Sequence, residues 1–144
     1  RGYKKGGLSR LEILQLDNAT RSLENSLETV NRFSKIGVKM MAGSDSPWGA
    51  YPPGEFVKEI LALNRAGLSI YESLLTGTKY AAHSIGKGHV SGILNVGRNA
   101  DVLVVKGNPL INLSDLSNVK QVYKKGIPQY KKPKGYSGIH TEIK

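Results

Sequence analysis

The chain has 144 residues and a mass of 15.6 kDa, which is one domain or a piece of a larger one. Its composition, 39% hydrophobic and 22% charged, is that of a globular chain, and the absence of cysteine excludes a disulfide framework, a thiolate metal site and a cysteine nucleophile. The net charge of +10 suggests a polyanion partner until it is located: residues 1–10 and 120–144 hold all of it, and residues 11–119 are neutral.

Basic ends of this kind are ordinarily solvated, and no aromatic-and-basic motif for reading RNA accompanies them, so nucleic acid is not an expected partner. No apolar run approaches the roughly 18 residues of a membrane helix, so no membrane partner is expected either. The compartment is not specified; the cytoplasm is the default expectation. The sequence begins at Arg1, so a signal segment ahead of it stays open.

In chain order, residues 1–16 show no helical period. A helix is predicted over 18–36, with Asn18 or Thr20 as cap, because a short polar side chain can accept from a free first-turn N–H. Leu23, Leu27 and Val30 would form its buried stripe, and Gly37 would end it. Val38–Ala42 reads as a short strand, over 38–43, running into Gly43-Ser44-Asp45-Ser46-Pro47-Trp48-Gly49. Residues 49–54 are a Pro/Gly loop. A second helix is expected over 55–66, stopped by Gly67. A third is expected over 69–83, where Ser69 and Glu72 match a capping box. Then comes a β unit: a strand at 101–106, one helical turn at Leu113–Leu116, and a strand at 119–124 closed by the tight turn Lys125-Gly126. From Lys131 the apolar pattern is lost.

Helix, strand, helix, helix over 18–85 implies an α/β arrangement with a parallel sheet, yet that stretch holds a single good strand. One parallel strand cannot make a sheet, and the chain therefore reads as a fragment.

Five stretches in order resemble the C-terminal third of the metal-dependent amidohydrolase superfamily, in the branch with imidazolonepropionases and Xaa-Pro dipeptidase-like proteins. Residues 37–46, Gly-Val-Lys-Met-Met-Ala-Gly-Ser-Asp-Ser, are similar to that family's last barrel strand, which ends in Gly-Thr/Ser-Asp. Glu59-Ile60, Arg65-Ala66-Gly67-Leu68-Ser69 and Glu72-Ser73-Leu74-Leu75 resemble its following helices. Thr78-Lys79-Tyr80-Ala81-Ala82 with Gly86 is the third stretch. Gly92-Ile93, Val96-Gly97, Ala100–Val105 and Gly107-Asn108-Pro109-Leu110 resemble its GxIxxGxxADLVVLxGDPL. Val119, Val122-Tyr123-Lys124 and Gly126 resemble V..VIK.G. No one stretch is specific; five in this order are. Two positions depart from the pattern: Tyr80 stands where Asn is usual, and Val57 where relatives often carry His.

The resemblance implies the C-terminal fragment of a TIM-like (β/α)8 hydrolase barrel plus part of a small β-sandwich. Residues 1–89 would be the last part of the barrel, with 38–43 its final strand. Residues 90–130 would be the C-terminal strands of a composite β-sandwich, and 131–144 a basic tail. It also implies cleavage of amide or cyclic-amide C–N bonds, including those of dipeptides, by a metal-activated water, with zinc as the expected divalent metal. Asp45, at the C-terminal end of the strand where barrel enzymes place their chemistry, would be metal ligand and general base. The alternative for Asp45 is a turn cap bonded to the Ser46–Trp48 backbone. Ser46, Trp48 and Tyr51 would line the substrate mouth; the other reading of Trp48 and Tyr51 is a cover over the barrel end.

The family's metal histidines lie on earlier strands, and His83, His89 and His140 share no metal-ligand spacing; none is assigned to a metal. The fragment alone is therefore expected to be inactive. Asp101, ahead of a strand, reads as a structural residue that fixes a turn. The expected partners are a small amide-type substrate and the missing N-terminal part of the same protein, with room for an oligomer. Two other readings stay open: a degenerate, structural amidohydrolase piece, and a basic-tailed polyanion-binding module, which steep salt dependence of binding would reveal.

Overall fold

The computed structural model describes residues 7–45 and 54–131. Its elements are helices α1 (Arg10–Lys35), α2 (Val57–Arg65), α3 (Ile70–Thr76) and α4 (Lys79–Ser84), then strand β1 (Val102–Val105), a 3-10 turn (Leu113–Ser117), and strands β2 (Val119–Lys124) and β3 (Ile127–Lys131).

The first helix starts eight residues before the expected Asn18, which with Thr20 lies inside it. The true cap is Ser9: its hydroxyl accepts from the Glu12 N–H at 3.3 Å, and the Glu12 carboxylate accepts from the Ser9 N–H at 2.8 Å. This reciprocal pair satisfies two of the first-turn donors that every helix leaves unpaired. The predicted buried stripe is not buried. Leu23 is 47% exposed, Leu27 and Val30 are half-buried, and no α1 residue is fully buried. The helix touches the rest through its C-terminal half, where the Asn31 amide donates to the Ala66 carbonyl at 2.9 Å.

Residues 38–43 form no strand. A strand is defined by a ladder to a neighbour, and none of the described residues supplies one beside this segment. One of its ties to the helices is a bond from the Ala42 N–H to the Thr76 carbonyl at 3.1 Å. The expected 69–83 helix is two helices, broken at Gly77. A side chain at Gly77 would come within 2.9 Å of Ile60 Cδ1 and 3.1 Å of Phe56. The break thus lets α2 approach the end of α3.

The strands make one antiparallel sheet in the order β1-β2-β3. Strands at 102–105 and 119–124 match the expectation. The third was hidden by Pro128, which cannot donate to a ladder and is tolerated on an edge strand; β3 is such an edge. Lys125 and Gly126, both at positive φ (50° and 80°), close the two-residue hairpin turn before it.

The core joins the two halves. Ile60 of α2 packs with Leu113 and Leu116 of the 3-10 turn, and Ala42, Val57, Leu61, Ile70 and Leu74 gather around them. The β unit is therefore seated on the helices through one short turn. That turn is pinned by Asn112 as its cap and by Asp115, whose carboxylate accepts from the Asn108 N–H at 2.8 Å.

Candidate functional site

Asp45 ends the described segment after α1. It is exposed, and its φ of 48° places it in the left-handed region, which few side chains other than Asn and Asp adopt readily. Among the described residues its carboxylate makes no hydrogen bond and no ion pair. Ser46, Trp48 and Tyr51, expected at the substrate mouth, and the backbone that Asp45 would bond as a turn cap lie outside the described residues.

A metal centre needs three or more donors on one point. Among the described residues, no group of His, Asp or Glu side chains could hold a metal ion. Asp45 thus offers one carboxylate, which suits a single position in a ligand set, and this chain's described residues do not complete the set. His83 and His89 are exposed; a side chain at Gly88 would meet the His83 ring at 2.7 Å, so that imidazole lies over the glycine as surface packing. His140 is outside the described residues.

Asp101 is a structural pin, as its place before β1 suggested. Its carboxylate accepts from the Lys125 N–H at 2.9 Å, the Ser91 hydroxyl at 2.7 Å and the Lys124 ammonium at 3.0 Å. It ties the loop at 91, the start of β1 and the β2–β3 turn together. The Lys125 N–H first, then Ser91 and Lys124, lower its pKa from the ordinary 3.8 to about 2. A carboxyl whose pKa is lower in the folded state stabilises fully above its unfolded pKa and loses that contribution as pH falls through the folded one. The native β unit should therefore weaken between about pH 4 and pH 2. An acid titration followed by hydrogen exchange of the β2 amides should show this slope in the wild type and not in Asp101→Asn.

An open cleft of about 1080 Å3 lies between α4 and the loops leading to β1, with Met41, Ala42, Ala82, Ile85, Val90 and Ile93 among its walls. Asp45 does not line it. No periodic pattern announced the cleft, because its walls come from turns at 85–93 rather than from one amphipathic face. Thr76, which holds Ala42, also went unnoticed: its part in the site is played by a backbone carbonyl, which no side-chain motif marks.

Comparison with known proteins gives the frame. A family model described as "Amidohydrolase family" matches residues 4–127. An imidazolonepropionase of Syntrophobacter fumaroxidans is 31% identical over 123 residues, covering 83% of this chain and 29% of the relative. A crystal structure of a Xaa-Pro dipeptidase with methionine bound in its active site is 28% identical, with a TM-score of 0.67 over 73% of this chain and 25% of the other. A Bifidobacterium longum protein assigned to the prolidases is 26% identical, with a TM-score of 0.74 over 91% of this chain and 32% of the other. The chain thus spans a quarter to a third of the length of these relatives. No helix among the described residues is long and apolar enough to cross a membrane.

Proposed function

This chain belongs to the amidohydrolase family, and from that premise we propose that it is one part of a hydrolase that cleaves carbon–nitrogen bonds of small amide-type substrates with water. Residues 1–89 are read as the end of a (β/α)8 barrel, 90–130 as the C-terminal strands of a composite β-sandwich, and 131–144 as a basic tail.

In this reading Asp45 is one ligand of a divalent metal, most simply zinc, and the proton acceptor beside it. The other ligands come from parts of the protein outside this chain. The metal's contribution when bound is to make water acidic enough to attack near neutral pH. Asp45 takes the proton from the attacking water and returns it to the leaving nitrogen, so the amine departs neutral. Ser46, Trp48 and Tyr51, which follow Asp45 directly, are placed in sequence to line the substrate mouth.

The observation that carries the reading is Asp45 itself. It lies inside the matched span, exposed, in a left-handed backbone conformation, with a carboxylate unengaged by the described residues. The imidazolonepropionase and Xaa-Pro dipeptidase relatives support the bond class, since their names concern a cyclic amide and a peptide bond. The isolated chain, which holds no ligand set among its described residues, is expected to be inactive.

The test is metal removal from the complete protein. Dialysis against a chelator should abolish hydrolysis of a dipeptide or cyclic-amide panel, and added zinc should restore it. Unchanged turnover in metal-free protein would refute the proposal.

A further inference from the structure

Residues 38–45 carry Asp45 yet belong to no helix or strand, so no ladder fixes them. Three attachments do. The Val38 N–H donates to the Phe33 carbonyl at 3.0 Å and closes the end of α1. The Lys39 ammonium stands 5.8 Å from the centre of the Tyr80 ring on α4, within the range of a cation–aromatic attraction. The Ala42 N–H donates to the Thr76 carbonyl at 3.1 Å. Of the three, the last is nearest to Asp45. It is also the one backbone bond to residues 39–45 among the described residues.

Thr76 is built to hold that bond still. It is the last residue of α3, where carbonyls have no partner within the helix, and it is 0% exposed. Its hydroxyl donates to the Ser73 carbonyl at 2.6 Å. Ser73, also 0% exposed, donates its own hydroxyl to the Ser69 carbonyl at 2.9 Å. The Ser73 hydroxyl thus ties the first turn of α3, and the Thr76 hydroxyl ties its last turn, the turn that carries the Thr76 carbonyl. Ala42 in turn packs against the Ile60, Leu113 and Leu116 core.

We infer that Thr76 is a positioning residue: through Ala42 it fixes where the chain leaves the core, and so where the Asp45 carboxylate stands. It touches no reacting atom. The inference rests on the reading of Asp45 as proton acceptor and adds to it the element that holds Asp45 in place.

Two substitutions test it. Thr76→Val keeps the branched volume and deletes the hydroxyl; Thr76→Ser keeps the hydroxyl. In this chain, exchange of the Ala42 amide proton should quicken about tenfold or more in Thr76→Val and stay near wild type in Thr76→Ser, as expected when a fixed acceptor loosens. In the complete hydrolase, kcat should fall about tenfold in Thr76→Val with KM little changed, since misplacing a reacting group by about 1 Å costs up to about 10²-fold. Thr76→Ser should restore kcat. Unchanged Ala42 exchange in Thr76→Val would overturn the inference. So would a wild-type kcat in Thr76→Val when Asp45→Asn is inactive, or equal losses in the Val and Ser variants, which would mean packing alone. Near-normal turnover in Asp45→Asn would sink the proton-acceptor reading instead, and with it the link from Thr76 to catalysis; the exchange data would then judge the anchor alone.

Discussion

Asp45→Asn in the complete hydrolase should lower turnover about a hundredfold or more, while the melting temperature barely moves. Deleting a general base typically costs 10²–10⁴ in rate, and a hundredfold is about 2.7 kcal/mol of transition-state stabilisation. On the proposed reading, loss of a negative charge beside the metal adds to that. The fold should not notice: Asp45 is exposed, its carboxylate binds nothing among the described residues, and φ of 48° suits asparagine at least as well as aspartate. Asp101→Asn is the matched control. It loosens the pin on Ser91, Lys124 and Lys125 and should lower stability, yet below its melting temperature it should keep activity within a few-fold. The two aspartates then separate cleanly: one costs rate without stability, the other stability without rate. Steady-state hydrolysis and thermal melts of both variants, with metal content measured, decide it. Normal turnover in Asp45→Asn would make that residue a turn cap.

How far the chain could be read in advance depended on whether a signal was local. The second helix, the capping box at Ser69 and Glu72, the turn at Lys125-Gly126 and the strands after Asp101 rest on short-range chemistry, and the structure has them. The start of α1 was missed although its signal was equally local. Leu8, Leu11, Ile13, Leu14 and Leu16 surround the helix without forming one face, so periodicity failed where the Ser9–Glu12 pair would have succeeded. Residues 38–43 have strand composition but no neighbour among the described residues, and pairing is a non-local property. The core contact of Ile60 with Leu113 and Leu116 joins segments some fifty residues apart, which no window along the chain can register. The resemblance that singles out Asp45 lies in five motifs in order at suitable spacings; by itself a Ser-Asp-Ser-Pro stretch reads as a turn. Thr76 was illegible for a different reason: a carbonyl is common to every residue, and only the fold decides which one meets Ala42.

Gly92→Ala should be among the more damaging single-methyl changes at the described glycines, through a contact that sequence alone does not show. Gly92 has φ of 88°, where a side chain is strained at a cost of roughly 1–3 kcal/mol. A Cβ there would also stand 2.5 Å from Ala82 Cβ, 2.9 Å from the Thr78 carbonyl oxygen and 3.3 Å from Lys79 Cα. Those atoms belong to the first turn of α4, including its buried Ala82, and backbone cannot step aside as the tip of a long side chain can. Overpacking of this kind adds about 1–3 kcal/mol. The two together predict a loss of roughly 2–6 kcal/mol and a melting temperature lower by roughly 5–25 °C. Gly97→Ala isolates the first cost: φ is 81°, and nothing lies within 4 Å of the added carbon, so only the backbone strain remains, roughly 1–3 kcal/mol. Displacing α4 also moves Tyr80 from beneath Lys39, so Gly92→Ala should loosen the segment leading to Asp45 while Gly97→Ala leaves it in place. Melts of both variants, with exchange rates for the amides of residues 79–84 and 39–42, test the argument. Equal losses at the two glycines would show that backbone strain alone acts at Gly92 and that the close approach of α4 contributes nothing.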